Sequence, residues 1–474
     1  MLIGAIVAYV LIQLAVGVWA SRRMTGEADY LVAGRTLGPM VLAVSLFATW
    51  FGAETVMGAS AAVAEGGLAQ SRAEPFGYML ALLLMGLLVA GKLRAGRWMT
   101  LADFFRDRFG PTAETLCVIA NVMVSITWAA AQMTALALIV ASLAGLPVGV
   151  TLAGAALLVI VYTALGGLMG DVVTDVIQGG VLILGLMLLL GAMILRAGGP
   201  AEAIALVDPA ALSLVAPDEG WLSRLDAWAV PVLGSLVAVE AISRFLGARS
   251  PEAARTGAFG GAGLYLVVGL IPVAIGLIAP GLGVGAGVGE KLIPELAREL
   301  LSPVLMVLLV GALLSAILST VDSNILASGG LLTRNLLDRL RPGMTDRQRL
   351  LSARVVTALA GLLAWAVAAG GAGIYELIEW TSALGTSGVL IAFLFGAWSR
   401  IGAGAAAVGA ILAGFASNAV TMVWPALRGA EPMDRAFLLS VVVSLVAYLA
   451  LAALQSGPRN TKKAPSAMNA NPTA

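Results

Sequence analysis

Stretches of about 20 apolar residues, the length a bilayer core requires, recur thirteen times along this 474-residue chain, separated by charged or Gly/Pro-rich punctuation. They fall at residues 2–20, 39–60, 75–94, 115–144, 147–166, 173–195, 228–247, 257–279, 303–331, 352–370, 377–397, 403–424 and 435–454. The expected fold class is an all-α integral membrane protein with about 13 transmembrane helices, because helices satisfy every backbone group inside hydrocarbon. The run 2–20 lacks a basic start and a small-residue cleavage site, so it reads as a retained helix rather than a leader. Residues 100–109 set Leu101, Phe104, Phe105 and Phe109 against Asp103, Arg106 and Asp107, a pattern suited to lying at the cytoplasmic interface. Residues 201–226 and 281–299 are expected to be external loops over a vestibule, and 456–474 a disordered cytoplasmic tail.

Polar positions inside three of these spans change the picture. In 303–331, Ala316, Ser319, Thr320 and Ser323 recur at helical spacing, so they form one stripe, with Asp322 beside it. A charged side chain at that depth costs roughly 2.5–3.5 kcal/mol on insertion scales, which makes an intramembrane carboxylate a functional candidate. The hydroxyls alone could also be bonding to the preceding turn or to a neighbouring helix. In 39–60, Gly52 and Glu54 interrupt an apolar helix, and broken backbone at that depth is tolerated where it lines a cavity. Freed carbonyls there could coordinate a cation, and freed amides could receive a carboxylate. The blander reading is a Gly-rich packing helix with Glu54 paired to a buried arginine. Finally, Gly166-Gly167 forms a turn into a helix carrying Asp175 towards its cytoplasmic end, where it could attract a departing cation or merely act as a cap.

Alternate loops divide the 28 basic residues twenty-one to seven, which by the positive-inside rule puts the N-terminus outside and the C-terminus in the cytoplasm. The composition is 60% hydrophobic and 12% charged, with a net charge of +1 that points to no nucleic-acid partner. A single cysteine, Cys117, excludes disulfide frameworks and Cys-based zinc sites, and the absence of histidine removes the commonest general base. An enzyme is therefore not expected.

Three separated motifs then carry a resemblance. They are the run from Tyr162 to Gln178, the run from Leu314 to Ser328, and Ser243-Arg244-Phe245-Leu246-Gly247-Ala248-Arg249-Ser250-Pro251-Glu252-Ala253-Ala254-Arg255. Together they resemble the sodium:solute symporter family. Ala48-Thr49-Trp50, Gly67-Leu68-Ala69-Gln70, Pro75-Phe76-Gly77-Tyr78 and Trp128-Ala129-Ala130-Ala131 are similar to its choline-transporter-like and sodium:proline-symporter-like branch.

The resemblance implies a leucine-transporter-like (LeuT-like) fold of two inverted five-helix repeats. The chain would divide into a first helix and cytoplasmic loop (1–38), repeat one (39–196), an external loop (197–227), repeat two (228–397), two further helices (398–455) and the tail (456–474). It also implies a sodium site made by the carbonyls of Ala48, Phe51 and Ala316 and the hydroxyls of Ser319 and Thr320, with Asp175 on the inward exit route. Sodium would be the coupling ion.

Trp50 and Trp128 match two rings of the choline branch, whose quaternary substrate is held by cation-π attraction of about 2 kcal/mol or more per desolvated ring. Val237 and Ala238, however, stand where that branch has a tryptophan, and Glu240 has no counterpart in the pattern. Glu54 and Glu240 could face a cationic or zwitterionic solute, although Glu240 could instead pair with Arg244 one turn on. Thr55 and Gln132 complete the substrate candidates, with Thr381 held in reserve and Glu376 and Glu379 read as charges at the outer mouth.

The expected function is sodium-coupled uptake of a small polar organic solute, amino-acid-like or choline/betaine-like, by alternating access in the bacterial inner membrane. The expected partners are that small-molecule substrate and the lipid bilayer, in a monomer or weak homo-oligomer. Proton coupling through Glu54 or Asp322, and a sensor that kept the transporter fold, are the alternatives.

Overall fold

The computed structural model describes residues 11–12, 15–217, 219–284, 288–371, 386–426, 428 and 436–455. The expectations for most of the first span, for Glu376, Glu379 and Thr381, and for the tail 456–474 lie outside the described residues. Among the described residues the chain is helical, with eight helices long and apolar enough to cross a membrane, or ten when two bent pairs each count as one span.

The first bent pair joins α2 (Pro39–Trp50) to α3 (Glu54–Gly66) at 68°; a short helix α1 (Glu27–Val32) precedes it. Then come α4 (Ala73–Ala95), α5 (Leu101–Phe109), α6 (Pro111–Ala144) and α7 (Val148–Ala197). At 1.5 Å per residue α7 would be about 75 Å long if straight, far more than a bilayer is thick. It bends at Gly167, whose φ is 51°. A Cβ there would lie 2.6–3.1 Å from Tyr30 atoms, so only glycine fits. Gly167 leaves the helical region there, so the spans expected at 147–166 and 173–195 are the two arms of α7, divided at the paired glycines.

The second bent pair, α8 (Trp221–Val237) and α9 (Val239–Gly247), meets at 45°. The apolar stretch 228–247 is therefore divided by a break. Ala238, at φ −63° and ψ 113°, is the residue that leaves the helix. Next are α10 (Pro251–Ile278), α11 (Leu292–Leu300), α12 (Pro303–Leu331), α13 (Asp346–Ala369), α14 (Thr386–Trp398), α15 (Gly404–Asn418) and α16 (Ala436–Gln455). α11 is a helix inside what was expected to be plain external loop, and α8 begins within the other one.

α12 is the axis of the fold. It packs on α6, α7 and α13, and every residue from Ala312 to Leu331 is buried. That burial explains how a segment holding Asp322, Ser319, Thr320 and Ser323 stays in a membrane: none of its polar stripe meets lipid. The amphipathic helix α5 keeps its predicted limits, capped by Thr100 and Asp103, but its apolar face is covered by protein rather than by lipid. Phe104 packs against Phe393 with ring centroids 5.3 Å apart. Outside the membrane, Arg72 donates to both oxygens of Glu219 at 2.6 and 2.7 Å, tying the connection before α8 to the head of α4. That guanidinium holds the Glu219 carboxyl below the usual carboxylate range.

Candidate functional site

The break after Trp50 is made by redirected hydrogen bonds. The amide of Gly52 turns to the carbonyl of Trp50 at 3.1 Å, and the amide of Ala53 donates to Gln132 Oε1 at 3.1 Å. Both amides would otherwise close the helical ladder on Ala48 and Thr49, so those two carbonyls are released. Gly52 is required for close approach. A Cβ on it would sit 2.9 Å from Glu54 Oε2, 3.0 Å from Thr320 Oγ1 and 3.1 Å from Gln132 Oε1. Three oxygens from three helices therefore converge on one small residue at the break.

Four of the five expected sodium ligands can be followed here. Ala48 lies one turn before the break with its carbonyl released, and Phe51 is its first non-helical residue. Thr320 donates to the Ala316 carbonyl at 3.2 Å, which puts these two α12 oxygens side by side. The fifth, Ser319, turns its hydroxyl to Asp175, which also accepts from Ser45. Ala48, Phe51, Ala316, Ser319 and Thr320 are all at most 3% exposed. Carbonyl and hydroxyl oxygens of this kind are the neutral ligands an alkali cation takes. Asp175 is fully buried and within one hydrogen bond of Ser319, rather than at an open helix end.

A cavity of about 100 Å³ has Thr320 in its wall. Glu54 and Glu240 line it, with the rings of Trp50, Tyr78, Trp128 and Phe437 and the neutral groups Ser235, Thr320, Asn324 and Thr386. The two broken helices meet at its wall, where Trp50 Nε1 donates to Glu240 Oε1 at 2.9 Å. Trp50 and Tyr78 contact edge-on, ring centroids 5.7 Å apart. Gln132 Nε2 donates to Glu54 Oε2.

Two alternatives left open by the sequence are set aside by these contacts. Glu54 is not paired to an arginine; its partner is the amide of Gln132. Glu240 does not give its carboxylate to Arg244 either, which uses only the Glu240 carbonyl, at 2.9 Å. Arg244, with no exposed surface, directs Nη2 to Asp171 at 2.8 Å, Asp175 at 3.0 Å and Ser323 at 2.7 Å, and Nε to Ser45 at 2.8 Å. The third buried carboxylate nearby, Asp322, accepts from Tyr162 at 2.6 Å and from the amide of Ser323 at 2.8 Å.

Thr55 and Gln132 do not line the cavity. Gln132 is fully buried and props Glu54 and the Ala53 amide from behind. Thr55 faces a separate buried cluster, donating to Glu74 Oε1 at 2.9 Å, while Tyr265 donates to Glu74 Oε2 at 2.6 Å. Sequence reasoning missed Glu74, Tyr78, Asp171, Tyr265, Asn324 and Phe437 as site residues. Two carried a signal: Tyr78 stands in a quoted motif, and Asp171 lies one helical turn before Asp175, on the same face.

Comparison with known proteins agrees with this geometry. Residues 30–414 match the model of the sodium:solute symporter family. The human high affinity choline transporter 1 is 32% identical over 182 residues, covering 37% of this chain and 31% of that protein. The sodium/proline symporter of Escherichia coli (strain K12) is 28% identical over 207 residues, covering 42% of this chain and 41% of that protein. These matches thus span 31% and 41% of the two relatives' length. A Na+-coupled sialic acid symporter, solved in a substrate-bound outward-open state, superposes with a TM-score of 0.80 over 98% of this chain and 99% of that one, at 20% identity. Mhp1, a nucleobase-cation-symport-1 family transporter, does so with a TM-score of 0.59 over 90% and 94%, at 15% identity. These likenesses establish the leucine-transporter-like fold. A family match over most of the chain, a multi-pass helical architecture and a cavity at paired helix breaks lead to one conclusion: the chain belongs to the sodium:solute symporter family, a family of membrane transporters and not of enzymes, whose coupling ion is sodium.

Proposed function

We propose that this chain is a sodium-coupled secondary active symporter that takes up a small polar organic solute, a zwitterion or organic cation of amino-acid or choline/betaine type, by alternating access. The observation that carries the reading is the double position of Thr320. Its hydroxyl stands against the broken helix beside the Ala316 carbonyl, and the same residue lines the cavity between the breaks. Sodium would be held by the carbonyls of Ala48, Phe51 and Ala316 and the hydroxyls of Ser319 and Thr320. Asp175 would be the next group inward. Solute and ion would then share one wall, so filling either site orders part of the other. The bent pairs stand at the heads of the two proposed inverted repeats, 39–196 and 228–397. The loop charge bias supports an outward N-terminus and a cytoplasmic C-terminus in the plasma membrane, and the remaining spans complete about 13.

Thermal unfolding of the purified protein tests the ion site without a known solute. Sodium in place of potassium at equal ionic strength should raise the midpoint, by RT ln(1 + [L]/Kd) in free energy. Ser319→Ala and Thr320→Ala should each raise the half-maximal sodium concentration about tenfold, the equivalent of ~1.4 kcal/mol for a lost ligand. Unchanged sodium dependence in both variants would remove the site; stabilisation by acidification in place of sodium would favour proton coupling.

A further inference from the structure

Resting on the sodium-symport reading but not on its amino-acid- or choline/betaine-like solutes, the charge balance of the cavity points to another class of organic cation. Two carboxylates, Glu54 and Glu240, line it, and no lysine or arginine does among the described residues. The cation nearest in sequence, Arg244, spends its Nη2 on Asp171, Asp175 and Ser323, on the side away from the cavity. Each cavity carboxylate holds a neutral donor, the indole of Trp50 on Glu240 and the amide of Gln132 on Glu54. Neutral donors orient a carboxylate but do not cancel its charge.

The place where a carboxylate of the solute would dock is also taken. At the head of α3, the Ala53 amide is given to Gln132 Oε1 and the Gly52 amide to Trp50. Glu54 Oε2 itself lies 2.9 Å from where a Gly52 Cβ would be. The protein thus sets its own acid at the helix start that would otherwise attract the anionic end of an amino acid. A zwitterion's carboxylate would meet two glutamates and no countercharge. A quaternary ammonium would satisfy the charge but offers no N–H to carboxylate oxygens that have left water, and acceptors left unpaired in a closed site are costly.

We propose that the solute is a small organic cation that carries N–H donors and no carboxylate, an alkylamine or guanidine, with Glu54 and Glu240 accepting its hydrogen bonds and the rings of Trp50, Tyr78 and Trp128 covering its alkyl part. Hydrogen bonds between ions and their stacking on rings are the strong contacts available to such a cation.

The test uses the purified full-length protein, with thermal unfolding read in sodium and in potassium. Agmatine and putrescine are the amine and guanidine probes; choline, glycine betaine and proline are the contrasts. Agmatine or putrescine should raise the midpoint in sodium more than any contrast. Glu54→Gln and Glu240→Gln should each raise the half-saturating concentration on the order of thirtyfold, as expected when one partner of a buried ion pair is lost. Larger stabilisation by proline, betaine or choline overturns the inference. So does the absence of any shift with both amine probes, or a shift that survives unchanged in both glutamine variants. If a variant fails to fold, the ranking of the five probes on the unaltered protein still decides. Sodium's own effect on the midpoint reports separately on the symport reading, so the two failures are distinguishable.

Discussion

Replacing Arg244 with glutamine removes the only guanidinium from a fully buried cluster and leaves Asp171 and Asp175, 2% and 0% exposed, without their ion partner. Breaking a buried pair on one side costs about 3–5 kcal/mol, because the remaining charge stays out of water. Unfolding entropy of about 2.1 cal/mol/K per residue, taken over 474 residues, amounts to roughly 1 kcal/mol/K. The midpoint should therefore fall by about 3–5 °C, and by more if the unfolded chain keeps helix in detergent and so gains less entropy. The chain supplies its own probe: Cys117 is its sole cysteine and is buried, so a thiol-reactive fluorogenic maleimide will report unfolding at that site. Adding Asp171→Asn to Arg244→Gln removes one of the stranded charges and should recover about half of the loss. A fall of under about 1 °C, or a double variant no more stable than Arg244→Gln alone, would falsify the assignment of Arg244 to these aspartates.

Three further outcomes follow from the same geometry. Gly52→Ala introduces a Cβ 2.9–3.1 Å from Glu54, Thr320 and Gln132 oxygens. Overpacking of this kind costs about 1–3 kcal/mol, so sodium-dependent stabilisation should be lost while the protein still folds; an unaltered sodium response would show that the three oxygens do not converge. Trp50→Phe keeps a ring but removes the N–H on Glu240, a hydrogen bond to a charged group worth about 1.5–3 kcal/mol. Its loss of stability and that of Glu240→Gln should therefore be strongly non-additive in the double variant, and simple addition of the two would count against that bond. Tyr265→Phe strips one donor from Glu74, so it should destabilise the chain and Glu74→Gln should partly restore it; a Tyr265→Phe protein as stable as the parent would remove Glu74 from the support of the break.

How much of this was legible in the sequence depended on the range of the interaction. The α12 stripe could be read because Ala316, Ser319, Thr320 and Ser323 declare their face by period alone. The first break announced itself through Gly52 and Glu54 in an apolar run. The second did not: Leu236-Val237-Ala238 is ordinary helix-forming or apolar sequence, and the chain departs there through Ala238 only in the context of the packed fold. Pairing failed where tertiary contacts overrode local ones. Glu240 and Arg244 stand one turn apart, yet Arg244 finds its acids 73 and 69 residues away and Glu240 finds its indole 190 residues away. Spacing alone could identify Thr55 and Gln132 as polar groups at depth, but not that Gln132 props Glu54 from behind while Thr55 turns to Glu74.

These long-range pairings bear on coupling. α9 is pinned to α2 twice, by Glu240 to Trp50 and by Arg244 Nε to Ser45. The two half-helices are therefore expected to move together. The same guanidinium reaches across to α7 and α12 through Asp171, Asp175 and Ser323. A seam thus runs between the α2/α9 pair and the α7/α12 pair. Any rocking of one pair against the other has to break those charged bonds while keeping the first two. The proposed sodium ligands divide across the same seam, Ala48 and Phe51 on the α2 side and Ala316, Ser319 and Thr320 on α12. An ion held there ties the two sides by its own ligation, next to the arginine that ties them by charge. Loss of the ion would leave the seam to Arg244 and to the Ser45–Asp175 hydrogen bond, and Ser319 is already bonded to Asp175, the acid that Arg244 holds. With sodium at the proposed site, its release and the opening of the seam would be linked through one carboxylate, so that the exit of the ion and the separation of the two pairs would be coupled.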